Sequence, residues 1–177
     1  QLRLADVRQE RGVWFIYIRH DEDEGLSTKS GVSRPAAVHP LLDQLGFLSF
    51  YSRQLKRAGG DTKARLFPEL TANARGQISG APSRWWRDYL EAIGAKSGRD
   101  GYGAHSFRHT LADRLRSEAE LLDYQVAVCL GHSVKSTTSG YGELSQGTVN
   151  MLKAWMDAVS FDGVDFSTLV TVEGQDE

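Results

Sequence analysis

Between His105 and Tyr141 the chain reads HSFRHT and then LGHSVKSTTSGYG, a grouping of residue types suited to handling a phosphate. His105 and Arg108 stand three apart, Gly131 and His132 follow, and Tyr141 comes nine residues after His132. Breaking a phosphodiester without a metal needs a nucleophile, neutralisation of the non-bridging oxygens and a proton for the departing oxygen. A phenol, whose ordinary pKa is about 10, attacks well only if its proton is taken up and the phosphate is held in line. Arg108 can grip two phosphate oxygens with its planar fork, and His105 and His132 can donate hydrogen bonds or accept the phenolic proton. On spacing alone the plainer reading stays open: Tyr141 as one of six ordinary tyrosines, the histidines as surface or satisfied residues.

Two other chemistries fit less well. His105 and His109 share a helical face and could join His132 as zinc ligands, but no glutamate adjoins the pair as in a zinc protease, and Arg108 would repel a cation. The stretch from Cys129 to Lys135 begins like a cysteine phosphatase loop, yet it ends in lysine and lacks a glycine-rich opening.

The surrounding pattern indicates how these residues are held. Phe107, Leu111 and Leu115 recur at helical spacing, which puts His105 and Arg108 at the positive end of a helix, with Ser106 a candidate cap. A short helix from about Asp123 to Leu130 stops at Gly131 and leaves His132 on a turn. Upstream, Val13–Ile18 is rich in aromatic and β-branched residues, and the polar segment from Asp21 to Gly25 implies a hairpin loop with a return strand through Pro35–Val38. Leu41, Leu42, Leu45, Leu48, Tyr51 and Leu55 predict one helix near 41–58, ended by Gly59–Gly60. Trp85, Trp86, Tyr89, Leu90 and Ile93 predict a second, closed by Gly94, its aromatics read as core rather than a base-stacking platform. A polar loop joins the two. Thr148–Val159 reads as a last amphipathic helix and Phe166–Val172 as a strand-like tail. The fold class expected is α+β, mainly helical, with a small antiparallel sheet near the N-terminus.

Bulk properties narrow the setting. At 177 residues the chain suits one domain with a sizeable core, and its 40% hydrophobic and 25% charged content is ordinary for a globular protein. The single cysteine, Cys129, excludes a disulfide within the chain and, set in an apolar run, reads as a small buried thiol. No apolar run approaches a membrane span and no signal-peptide pattern opens the chain, so the expected location is cytoplasmic. A net charge of −2 does not advertise a nucleic-acid partner. The acids, however, cluster at Asp21–Glu24 and in the tail from Glu173, and the remainder is positive.

HSFRHT, then Leu130-Gly131-His132, then Tyr141-Gly142 resembles the catalytic box of tyrosine recombinases, in particular the integrases of phage and genomic islands. Leu2–Val7 is similar to the segment leading into the first strand of that catalytic domain. Thr28–Pro35 and Val38–Pro40 resemble its lysine-bearing hairpin and return strand, so the likeness spans nearly the whole chain. The resemblance implies that catalytic-domain fold, and site-specific recombination of double-stranded DNA, by integration or excision of a mobile element. Tyr141 would form a 3′-phosphotyrosyl link and free a 5′-hydroxyl. Arg108 would be the second of two phosphate-gripping arginines, His105 would assist proton transfer, His132 would donate to the same phosphate, and Lys29 would protonate the leaving oxygen. Neither cofactor nor metal is implied. A homotetramer on DNA is, with the terminal tail packing on a neighbouring subunit.

The family's first arginine lies just before the segment that Gln1–Leu4 resembles, so it would fall upstream of residue 1; Arg3 and Arg8 come too late in the pattern. The chain is accordingly read as a catalytic domain, residues 1–160, lacking its N-terminal part and the DNA-clamping domain, followed by a tail at 161–177. Such a fragment is expected to be poorly active alone. Arg53, Lys56, Arg57, Lys63, Arg65, Arg84 and Arg87 are candidates for non-specific DNA contacts. A type IB topoisomerase, or a non-catalytic DNA-binding module, are the alternatives.

Overall fold

The computed structural model describes residues 2–28, 30–74, 76, 78–97, 100–132 and 148–169, and has an α+β architecture. Three strands open it: β1 (Val7–Glu10), β2 (Val13–Ile18) and β3 (Arg34–Ala37), paired as an antiparallel meander. The two-residue turn Arg11–Gly12, with positive φ at both positions, joins β1 to β2. Register places Phe15 opposite both Arg8 and Ala37, and Ile18 opposite Arg34. The expected hairpin and return strand are therefore present; β1, which the sequence did not single out as a strand, adds an edge.

The leucine repeat after β3 forms two helices rather than one, α1 (Pro40–Gln44) and α2 (Phe47–Arg57). Gly46 separates them at φ +88°, donating to the Asp43 carbonyl while its own carbonyl accepts from Phe50. A side chain is disfavoured in that left-handed conformation, so the glycine can end one helix and start the next without strain. His39 caps α1: its Nδ1 accepts from the Leu41 N–H at 3.1 Å, so Nε2 carries the proton donated to the Val159 carbonyl at 2.9 Å.

Helix α3 (Gly80–Ala92) begins earlier than its aromatic stripe implies, and the stripe is not core. Trp85 is 63% exposed and Tyr89 and Ile93 are also exposed, whereas Leu90 is buried. The helix packs on the short hairpin of β4 (Lys96–Ser97) and β5 (Asp100–Gly101). Its rings cover one another instead: Trp85 stacks on Tyr89 at 5.5 Å, and Trp86 meets Phe107 at 5.3 Å.

The remaining helices are α4 (Ala104–Ser117), α5 (Asp123–Leu130) and α6 (Thr148–Asp157). Ala112 and Leu115 of α4, Val126 and Leu130 of α5, Leu121 and Val159 form one core; Leu4, Val7 and Leu66, with Trp14, Phe47 and Tyr51 around them, form another. Helix α6 buries Val149 and Leu152 and packs on β2 and β3. Beyond it, Ser167–Leu169 is a 3-10 turn, not the start of a strand, and residues 170–172 of the expected tail strand lie outside the described residues. No helix among the described residues is long and apolar enough to cross a membrane.

Candidate active site

Helix α4 starts at Ala104, so His105 lies in its first turn and Arg108 about one turn later. Gly103, not Ser106, occupies the cap position; the Ser106 hydroxyl reaches back to accept the Gly103 N–H at 3.1 Å. That bond satisfies a backbone donor just ahead of the helix, so Ser106 anchors the start of α4 from inside the helix. His105 is exposed, and its ring lies 5.7 Å from that of His109 on the same helical face.

Arg108 is half-buried and points at the end of α5, where its Nη2 donates to the Leu130 carbonyl at 2.7 Å. Carbonyls in the last turn of a helix lack intrahelical partners and carry partial negative charge, so a guanidinium is favoured there. The same helix end is closed by Gly131 at φ +69°: its N–H bonds the Val128 carbonyl at 3.1 Å, and the His132 N–H bonds the Ala127 carbonyl at 2.9 Å. This paired closure fixes the backbone at His132. His132 itself is exposed, on the turn the sequence implied. Partial loss of solvent lowers the proton affinity of its imidazole, and positive charge at Arg108, Arg34 and His105 pushes the same way.

Arg34 is the residue that local sequence patterns did not expose. It begins β3, yet its side chain crosses to the end of α5, where it packs so closely on Gly131 that a Cβ there would lie 2.0 Å from Nε. Burial, and after it the charge of Arg108, depress the Arg34 pKa below its ordinary value, while Cys129 acts in the opposite direction. Cys129 is half-buried, and burial raises its thiol to about 11, so it is neutral at physiological pH. This agrees with an unreactive thiol.

The structure thus brings together Arg108, His105 and His132, with Arg34 added. Tyr141 and Lys29 lie outside the described residues. The chain on either side of Lys29 is well anchored: Asp21 and Leu26 exchange backbone hydrogen bonds, Leu26 is buried, and the Thr28 N–H donates to His20 Nδ1 at 3.2 Å. Thr28 Oγ1 also donates to the Val32 carbonyl at 3.0 Å, closing the loop tip. Among the described residues no group of three or more histidine, cysteine, aspartate or glutamate side chains is placed to hold a metal ion. The seven candidate DNA-contacting cations are all exposed; Arg57 and Arg87 lie near carboxylates, Arg57 3.7 Å from Glu69 and Arg87 2.7 Å from Asp88.

No family model, curated protein or solved structure matches this chain, so its functional reading rests on its own residues and their arrangement.

Proposed function

We propose that the chain carries the catalytic residues of a tyrosine recombinase and breaks and rejoins double-stranded DNA through Tyr141, adopting that family's catalytic-domain fold. The observation that carries the reading is the convergence of the first turn of α4 with the end of α5. Two elements apart in sequence bring Arg108, His105 and His132 to one positively charged surface. No carboxylate among the described residues pairs with Arg108 there. Such a surface suits an oxyanion and disfavours a divalent cation. The meander ahead of these helices supplies the anchored hairpin that carries Lys29.

In this mechanism the Tyr141 phenolic oxygen attacks the phosphorus and its proton passes to His105. The bond to the 5′-oxygen breaks, and Lys29 gives that oxygen a proton. Arg108 and His132 hold the non-bridging oxygens as charge builds on them, where one well-placed donor is worth on the order of 100-fold or more in rate. A second attack, by a 5′-hydroxyl on the phosphotyrosyl phosphorus, releases Tyr141 and conserves the bond energy. Assembly as a homotetramer on DNA, with the terminal tail contacting a neighbour, belongs to the same proposal.

The test is a duplex pool of randomised sequence containing 5′-bridging phosphorothiolate linkages. Its sulfur leaving group needs no proton, so a covalent adduct accumulates. Cleavage by this chain is expected to be slow, so on long incubation with the trapping substrate the parent should accumulate a denaturant-resistant protein–DNA adduct and Tyr141→Phe should form none. Lys29→Ala should regain activity on the sulfur substrate relative to the oxygen one. Absence of an adduct with the parent, or an adduct that persists in Tyr141→Phe, would refute the proposal.

A further inference from the structure

We propose that Arg34 and Arg108 form a two-guanidinium clamp for a single phosphate group, and that Gly131 serves to admit the Arg34 side chain to it. The clamp requires only a phosphate oxyanion; its identification as a DNA phosphodiester rests on the recombinase reading above.

The geometry comes from two neighbouring residues. Arg108 is fixed by its 2.7 Å bond to the Leu130 carbonyl, and Arg34 lies against the Cα of Gly131, the next residue along. The two side chains therefore stand at the same helix end, and both residues are half-buried. Like charges brought together with partial loss of solvent oppose folding unless something compensates. The Leu130 carbonyl supplies part of that for Arg108. For Arg34, no ion pair is formed among the described residues. The nearest ionisable sulfur, Cys129, is held neutral by burial and contributes no countercharge at physiological pH.

An arrangement that is costly without an anion and favourable with one is expected of a binding site. Planar guanidinium forks match the two non-bridging oxygens of a phosphate, and His132, beside both, adds a donor. Gly131 then has two functions. Its φ of +69° closes α5, and the absent Cβ leaves the space that Arg34 Nε, Cζ and Cδ occupy. Because Arg34 opens β3 at the close of the Lys29 hairpin, one segment would deliver both the proton donor and half of the clamp.

Two measurements on the full chain test the clamp. In the first, arginine Nε–H signals are followed by NMR as inorganic phosphate, and separately a thymidine dinucleotide, is added. Arg34 and Arg108 signals should shift together with one dissociation constant. Arg34→Gln should weaken phosphate binding by about 10-fold to 100-fold, as expected for losing a charged hydrogen bond. Arg34→Lys should fall between, and Arg116→Gln, at a residue paired with Asp123, should leave binding unchanged. In the second, melting is compared with and without phosphate. Arg34→Gln should melt at or above the parent in phosphate-free buffer, yet gain less from added phosphate. Parent-like phosphate binding by Arg34→Gln, or an Arg34 signal that stays still while that of Arg108 moves, would overturn the clamp. If both signals move but no Tyr141 adduct forms on DNA, the clamp stands and the recombinase reading falls. If the adduct forms while Arg34→Gln binds phosphate normally, the reverse holds.

Discussion

His132 shows how position and charge cooperate at a single residue. Its backbone is set by the closure of α5, and its imidazole is disfavoured from protonation first by partial loss of solvent and then by Arg108, Arg34 and His105. In the fold its pKa lies below the ordinary 6.5, so as pH falls the unfolded chain takes up the proton first. The His132 contribution is therefore flat above the ordinary histidine range and becomes destabilising as pH drops through about 6.5. Urea denaturation at pH 8 and at pH 5.5 checks this: His132→Gln should lose less stability between the two than the parent does. Phosphate supplies the opposite charge, so adding it should raise the His132 pKa, read from the imidazole Cε1–H shift. A downward or absent change would mean that the anion does not bind beside this ring. The place of His105 and Arg108 on α4 and the stop at Gly131 were legible because each depends on neighbours within one turn; the meeting of Arg108 with the Leu130 carbonyl was not. Arg34 was not, since its part depends on a contact between β3 and the end of α5 that no local periodicity encodes.

The hairpin between β2 and β3 raises the corresponding question for an element, because the sequence marks it as acidic, polar and solvated, yet it is anchored. Arg19, in the segment that leaves β2, reaches the 2% exposed carboxylate of Asp6 at 2.6 Å and also Glu24 at 2.8 Å; Arg3 meets Glu24 at 3.1 Å. The acidic run is thus partly neutralised by arginines from the N-terminal segment and from the hairpin itself. Asp6 also accepts the Arg3 N–H at 2.7 Å. Removing Arg19 leaves a buried carboxylate without its main countercharge, a change that costs about 3 kcal/mol at the lower end for buried pairs. Arg19→Ala should therefore lower the urea midpoint by a corresponding amount, whereas Glu22→Ala, at an exposed position, should barely move it. Equal effects would show that the Asp6 contact does not anchor the loop. Elements were legible where one rule governed them, as in the apolar β2 run and the glycine stops after α2, α3 and α5. The rule failed where two signals overlapped. Leucine spacing continues straight through Gly46, so periodicity alone reads one helix where backbone conformation makes two. The aromatic stripe of α3 has core-like spacing, but what lies against a helix is decided by tertiary partners, here β4 and the Phe107 ring.

Across the molecule, the segment after α6 links the start of α1 to the far end of α4, and this bears on how the proposed tail should be tested. The Val159 carbonyl accepts from His39 Nε2 at 2.9 Å, tying the exit of α6 to the start of α1. Ser160 bonds through its N–H to Glu118 and through its carbonyl to Arg114, at the far end of α4. Phe161 meets His39 edge-on at 5.3 Å, lies 5.4 Å beneath the Arg114 guanidinium and packs against the Leu115 core. Ending the chain at Ser160 would thus remove a structural residue along with any surface used for assembly. The lost burial of a partly covered phenylalanine is worth about 1–2 kcal/mol. A chain ending at Ser160 should melt below one ending at Leu169, and Phe161→Ala in the full chain should reproduce most of that difference. Identical melting of the two shortened chains would show that Phe161 does not join α1 to α4. Assembly on DNA should then be measured below both melting temperatures, at more than one salt concentration because Lys and Arg contacts to phosphate weaken as salt rises. If the chain ending at Ser160 still forms tetramers there as well as the full chain, the tail has no part in subunit contact. If assembly is lost while the fold is intact, residues beyond Ser160 supply it.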